Sequence, residues 1–341
     1  MSFKASLKQA FGRFERALLR NSHRLLTDNH QLLGRMASWQ VRPRTVISSL
    51  TDAEFRVSSQ WGQDGIIDWL VERVQAPLSC QTFIEFGVED YRESNTRFLL
   101  RNRNWRGLIM DGSATMIKAV REDGLCTAHD LTVQRAFITR ENVNQLIAEA
   151  GFRGEIGLLS VDVDGNDYWI WEALDVVQPI LCVCEYNAVF GDVQPISTPY
   201  DPAFHRTRAH ASNLYFGASI AALRLLARRK GYRFAGTNLA GNDAFFVRED
   251  YWEKALAMSI LNVQARPSFF RESRDKAGRF TRVSGVDRLR KISSLPVVNV
   301  ETGAVVQLAD LDPVYSGEWL AALARETSLI AASDSSQDSA L

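Results

Sequence analysis

The sequence is poor in the features that mark specialised classes of protein. Cysteine is scarce: four in 341 residues, Cys80, Cys126, Cys182 and Cys184, with no CxxC pair and no Cys/His cluster. That speaks against a zinc site, and free thiols in mid-chain suit a reducing compartment. Net charge is absent too, since 40 Lys and Arg balance 40 Asp and Glu. Bulk nucleic-acid binding wants a basic excess, and an acidic disordered chain wants the opposite, so both are disfavoured. No apolar run reaches the length of a bilayer span. The N-terminal stretch also lacks the unbroken apolar core and small-residue cleavage site of a secretory signal. The expectation is a soluble, cytoplasmic protein. What remains is ordinary globular composition, 46% apolar and 23% charged. The length suits about two domains, or one large domain with appendages.

From residue 59 or so, apolar runs of strand length alternate with helical patterns. Gln63–Val74 reads as a helix with Ile66, Ile67, Trp69, Leu70 and Val74 inward, stopped by Pro77. Strands are expected at 82–86, 107–110, 125–129, 157–163 and 181–185, and a final strand pair at 232–236 and 244–247. Helices are expected at 95–102, 116–122, 143–150, 168–174 and 219–230. This alternation predicts an α/β fold: a doubly wound, mostly parallel, seven-stranded Rossmann-like sheet with helices on both faces. Strands as continuously apolar as Ile156–Val163 fit a sheet covered on both sides.

In such sheets ligands bind outside the carboxyl ends of the strands. Glu85, Asp111, Asp130, Asp162, Asp164 and Glu185 each fall at or near the end of an expected strand. Glu85 is followed by Gly87, which lets backbone and ligand approach closely. An acid at the tip of the second strand, Asp111, is placed to accept hydrogen bonds from both hydroxyls of a ribose. The NAD fingerprint GxGxxG is missing, because Glu89 and Tyr91 stand where further glycines would sit. A pyrophosphate is poorly matched to Glu89 and Asp90, whereas a sulfonium cofactor tolerates them. That tilts the reading toward S-adenosylmethionine.

Ser59-Gln60, Gln63-Asp64, Ile84-Glu85-Phe86-Gly87, Asp111-Gly112-Ser113, Val161-Asp162-Val163-Asp164-Gly165 and Val183-Cys184-Glu185 follow an order that resembles FkbM-like class I methyltransferases. The resemblance covers about residues 58–250. It implies an S-adenosylmethionine-dependent O-methyltransferase acting on a hydroxyl of a sugar, glycan or polyketide-like small molecule. The cofactor-binding set would be Gln63, Glu85, Gly87, Asn95, Asp111, Ser113 and Asp130, with Asp130 near the adenine. Two departures mark a divergent branch. The later glycine of the first-strand motif is missing, and the Asp-x-Glu-Gly of the fourth strand is here Asp162-Val163-Asp164-Gly165.

That last run carries three carboxylates in six residues, Asp162 to Asp167. Asp162 and Asp164 share a face if the strand continues through them, and hard oxygen ligands at a strand tip suit Mg²⁺. Glu185, with Asn187, would complete the set; Asp167 reads as a helix cap. Asp162, Asp164 and Glu185 are thus candidates for both catalysis and metal binding. His205 and His210, in an irregular polar loop, are candidate general bases.

Two other functions compete. Asp162-Val163-Asp164 also matches the metal-binding Asp-x-Asp of a nucleotide-sugar glycosyltransferase, which leaves Glu85, Gly87 and Asp111 without roles. A non-catalytic methyltransferase-fold binding module fits the missing glycines but not the retained acids.

The flanks differ from this core. Residues 1–50 read as a basic amphipathic extension, with Phe3, Leu7, Phe11, Phe14 and Leu18 at helical spacing. Such a helix packs on its own core or a partner subunit, or lies on an anionic membrane surface. Residues 51–250 form the expected methyltransferase domain, 251–330 an accessory or lid region, and 331–341 a disordered tail.

Overall fold

The structure is a computed structural model that describes residues 26–269 and 271–325. The basic amphipathic helix expected in the first twenty residues and the tail at 331–341 lie outside the described residues. Helix α1 (26–41) is followed by α2 (Gln63–Val74), β1 (Thr82–Phe86), α3 (Arg97–Arg103), β2 (Arg106–Asp111), α4 (Ala114–Glu122), α5 (Leu125–Ala128) and β3 (Leu131–Arg135). Next come α6 (Val143–Glu149), β4 (Gly154–Val161), α7 (Asp167–Ala173), β5 (Val177–Glu185), β6 (Ile196–Ser197), α8 (Arg206–Ala209), α9 (Ile220–Arg229), β7 (Tyr232–Thr237) and β8 (Asp243–Arg248). The described residues close with α10 (Glu249–Ala255), α11 (Asp287–Ile292), β9 (Pro296–Asn299), β10 (Val305–Gln307) and α12 (317–325).

The main sheet has seven strands in the order β3-β2-β1-β4-β5-β8-β7. The first five in sequence are parallel, and β8 runs antiparallel between β5 and β7. This is the doubly wound, mostly parallel Rossmann-like architecture the alternating pattern predicts. Side chains alternate across it with a period of two. Ile84 and Phe86 join Leu159, Val161 and the helices α6, α7 and α9 on one face. Phe83, Leu158 and Val183 join α2, α3 and α10 on the other.

Register sets where the site forms. Phe86 pairs with Met110 and Val161, and Val161 with Cys184. The carboxyl ends of β1, β2, β4 and β5 therefore finish within one residue of one another, which sets Gly87, Asp111, Asp162 and Glu185 along one edge.

The third strand departs from expectation. Leu125–Ala128 is a helical turn, opened by Gly124 in the left-handed region at φ 81°, and the strand is the next segment, Leu131–Arg135. Asp130 therefore precedes β3 and sits at the opposite edge of the sheet from the other acids. There its carboxylate is 3.7 Å from Arg106, at the start of β2.

The flanks are less separate than the composition suggests. Val41, Ile47 and Leu50 share a buried cluster with Ile66, Trp69 and Leu70, so residue 50 falls inside the core. Ser38 donates to the buried Asp68 carboxylate at 2.6 Å, which Arg42 and Arg103 also approach at 3.2 and 2.9 Å. In the C-terminal region, β9 joins β6 and β10 in a second, three-stranded sheet, and Trp319 and Leu323 of α12 pack into the main core. Among the described residues, no helix is long and apolar enough to cross a membrane.

Candidate active site

The level strand ends form the floor of a pocket of about 810 Å³. Its walls are the loops after β1, β2, β4 and β5, the segment around α8, and parts of residues 268–288. Gln63, Glu85, Gly87, Asn95, Asp111, Ser113, Asp162, Asp164, Glu185 and His205 all line it. Asp130 and His210 do not. Asp130 is at the wrong edge of the sheet, and His210 turns its Nδ1 to the Ser212 hydroxyl at 2.7 Å.

Several of these residues have work inside the fold. The buried Glu85 carboxylate accepts from the Asn95 amide (2.7 Å), the Thr96 amide (3.1 Å) and the Thr96 hydroxyl (2.5 Å). It holds the β1–α3 loop. Burial pushes its pKa up to about 7, against those hydrogen bonds. Asn95 extends the same brace to β4 through Ser160, at 3.1 Å. The Gln63 side chain donates to Asp243 and accepts from the Trp61 amide at 2.8 Å. Ser113 caps α4. Asn187, the expected fourth member of the metal set, spends its amide group on the Leu214 and Phe216 carbonyls, both at 2.9 Å.

Gly87 is a glycine for a different reason than closeness to a ligand. Its φ is 72°, and a Cβ there would lie 1.7 Å from the Asp162 carbonyl oxygen. The two strand tips pass in contact. Beyond it, Glu89 and Tyr91 have φ of 48° and 60°, so both take the left-handed conformation that glycine favours. The loop keeps the path of a glycine-rich turn at 87, 89 and 91 with only its first glycine retained. The Tyr91 ring is buried, and its hydroxyl meets Thr96 at 2.9 Å.

That path delivers an amide to the tip of β2. The Glu89 amide donates to Asp111 Oδ2 at 2.9 Å, and the Ser113 amide to Oδ1 at 2.7 Å. One backbone donor holds each oxygen, and the carboxylate has further lone pairs toward the pocket.

The second focus lies at the tips of β4 and β5. Strand β4 stops at Val161, so Asp162 and Asp164 are in the loop beyond it. The loop nevertheless brings them together with Glu185: one carboxylate oxygen from each lies within 4.8 Å of the others. Glu185 is only 9% exposed, and its Oε2 has no hydrogen-bond partner. Burial first, then the neighbouring acids, push Asp162 and Glu185 well above the usual carboxyl range. Asp167 is structural, but not as the expected cap: it is the first residue of α7, Asn166 holds the cap position without a side-chain cap bond, and Asp167 accepts from the Val163 and Gly165 amides of the preceding loop at 2.8 and 3.0 Å.

Sequence reasoning missed two members of the site. Asp243 opens β8 and pairs in register with Glu185, so the reversed strand feeds another buried acid into the cluster. Burial raises its pKa to about 6. Arg206 of α8 is the cation facing the acids, 3.1 Å from Asp164. Its guanidinium lies 3.7 Å over the Phe216 ring, and its Nε donates to the Asn213 carbonyl at 2.9 Å.

No protein-family model and no curated protein matches the chain. Among solved structures, it is similar to an O-methyltransferase from Bacillus cereus in complex with SAH, at 14% identity over 65% of this chain and 88% of that one, TM-score 0.37. It is similar to PKMT2 from Rickettsia typhi in complex with AdoHcy, at 7% identity over 54% and 52%, TM-score 0.36. A third likeness is to an S-adenosylmethionine-dependent methyltransferase from Clostridium acetobutylicum, at 6% identity over 49% and 83%, TM-score 0.30.

Proposed function

We propose that the chain is an S-adenosylmethionine-dependent O-methyltransferase acting on a hydroxyl of a sugar, glycan or polyketide-like small molecule. The observation that carries this reading is Asp111. Its carboxylate stands at the tip of the second strand, fixed by two backbone amides and facing the pocket, where a ribose diol would be recognised. The rest of the pocket fits the same ligand. Its acids favour a cation, and the methyl donor supplies a carbon carried on positively charged sulfur.

The carboxylates at the tips of β4 and β5 would serve the acceptor. Three acids this close repel one another unless a cation or a proton intervenes. The unpartnered Glu185 Oε2 and the clustered oxygens fit a divalent ion such as Mg²⁺. Such an ion would supply charge that eases ionisation of the acceptor hydroxyl. Without it, the Asp162 carboxylate is the group placed to take the proton, with His205 a second acceptor at the pocket wall. Rate acceleration would come mainly from holding donor carbon and acceptor oxygen in line.

Calorimetry tests the reading. The wild-type protein should bind S-adenosylmethionine and its demethylated product, and Asp111→Ala should weaken that binding by about 1.5–3 kcal/mol, roughly 10- to 100-fold. Binding of a UDP-sugar in place of the methyl donor would move the assignment to glycosyl transfer. Unchanged affinity in Asp111→Ala would remove Asp111 from the site.

A further inference from the structure

A surface helix normally turns its apolar side inward. Helix α1 does the reverse. Its buried side is Gln31, Gly34, Ser38 and Val41. Its outward side is Leu26, Leu32, Leu33, Met36 and Trp39, all between 47% and 67% exposed. The helix cannot roll over to hide them. Ser38 is tied to Asp68, and Gly34 fits so closely that a Cβ would lie 2.3 Å from Val57. The apolar stripe therefore faces away from the body, with nothing among the described residues covering it.

The sequence before α1 has the same apolar spacing. Phe3, Leu7, Phe11, Phe14, Leu18 and Leu25 follow one another at steps of three, four or seven residues. Leu32, Met36 and Trp39 carry that phase onward. The same first 25 residues hold six basic residues, Lys4, Lys8, Arg13, Arg16, Arg20 and Arg24, against the single acid Glu15.

We propose that the outward stripe of α1 docks on an anionic lipid surface, the basic sequence before it supplying the matching charge. The proposal is independent of the assigned chemistry. Apolar side chains including Trp on one side, together with nearby positive charge, are what an interfacial segment needs to lie in the headgroup region without crossing it. Charge selects this occupant over a second copy of the chain. A second copy of the chain would offer the same basic excess, whereas an anionic surface complements it.

The test is sedimentation of the full-length chain with vesicles of phosphatidylcholine alone or with about a third phosphatidylserine. The chain should pellet with the anionic vesicles, bind the neutral ones at least about tenfold more weakly, and be released by high salt. Leu33→Glu/Met36→Glu/Trp39→Glu changes only exposed side chains, so its melting temperature should match wild type while vesicle binding falls at least about tenfold. Absence of binding would overturn the proposal, and so would equal binding to both vesicles or full binding by the triple variant. A dimer in ultracentrifugation that the triple variant abolishes would make a second copy the occupant and likewise overturn it.

Discussion

Gly87→Ala and Gly124→Ala form a matched pair that separates backbone strain from steric conflict. Both glycines lie in the left-handed region, at φ 72° and 81°, but a Cβ at Gly124 meets nothing within 4 Å. Alanine there costs about 1–2 kcal/mol in conformation, offset by about 0.4–1 kcal/mol from a less flexible unfolded chain. Gly124→Ala should thus lose between about 0 and 1.6 kcal/mol. Gly87→Ala carries the same strain and adds a Cβ at 1.7 Å from one backbone atom of Asp162 and 2.9 Å from another. No flexible side chain is there to give way. Relief requires the tips of β1 and β4 to part, although Phe86 and Val161 are paired one residue earlier. Overpacking of this kind adds about 1–3 kcal/mol. Urea denaturation should place Gly87→Ala about 2–4 kcal/mol below wild type. The atoms that must move belong to Asp162, which the proposed function gives to the acceptor, so turnover should fall in Gly87→Ala and hold in Gly124→Ala. Equal losses in the two variants, or wild-type stability in Gly87→Ala, would refute the reasoning.

Asp162→Asn removes one of the mutually repelling charges while keeping its size. Turnover should collapse, with melting temperature held or raised and methyl-donor binding near wild type; a lowered melting temperature with activity intact would make the cluster structural. Full activity in EDTA would leave Asp162 as a proton acceptor and exclude the ion. Stability should also fall with rising pH. Glu85 and Asp167 at about 7, and Asp243 at about 6, bind protons in the folded state that the unfolded chain has already released above pH 4 to 5. The folded state holds more protons across that window, so stability is greatest below it and is lost as pH rises toward 7, by up to about 1.4 kcal/mol per pH unit for each group. A higher urea midpoint at pH 8 than at pH 5 would contradict this. Glu89→Gly should relieve left-handed strain of about 1–2 kcal/mol, leave the backbone N–H hydrogen bond to Asp111 in place, and raise or preserve the urea midpoint; a clear loss would show that the Glu89 side chain has a structural role.

Much of this was legible because it depends on local pattern. Strands such as Ile156–Val161 announce themselves by continuous apolar character, and their parallel register carries Asp111, Asp162 and Glu185 to one edge. Asp130 was misplaced because Leu125-Cys126-Thr127-Ala128 reads as strand, while Gly124 opens a helical turn and the true edge strand, Leu131–Arg135, mixes polar and apolar residues. Asp243 was invisible because its place depends on an antiparallel pairing with a strand almost sixty positions earlier. Arg206 depends on how a long loop folds back. The left-handed torsions of Glu89 and Tyr91 were hidden because neither residue type signals them. His210 was a matter of direction: two hydrogen-bonding atoms close by in sequence were enough to turn it from the pocket.

The loop after β1 can change in one direction more easily than in the other. Its three left-handed positions would each accept glycine, yet two have been filled, and the two fillings differ in how they can be undone. Glu89 projects a partly exposed side chain whose loss leaves no hole, so that position is free to drift between glutamate and glycine. Tyr91 fills the space beneath the loop and meets Thr96, the residue that holds Glu85. Removing its ring would open a cavity costing about 3–5 kcal/mol and loosen the brace on the strand tip. The tyrosine is therefore hard to replace: glycine at 91 would need other residues to fill the core first.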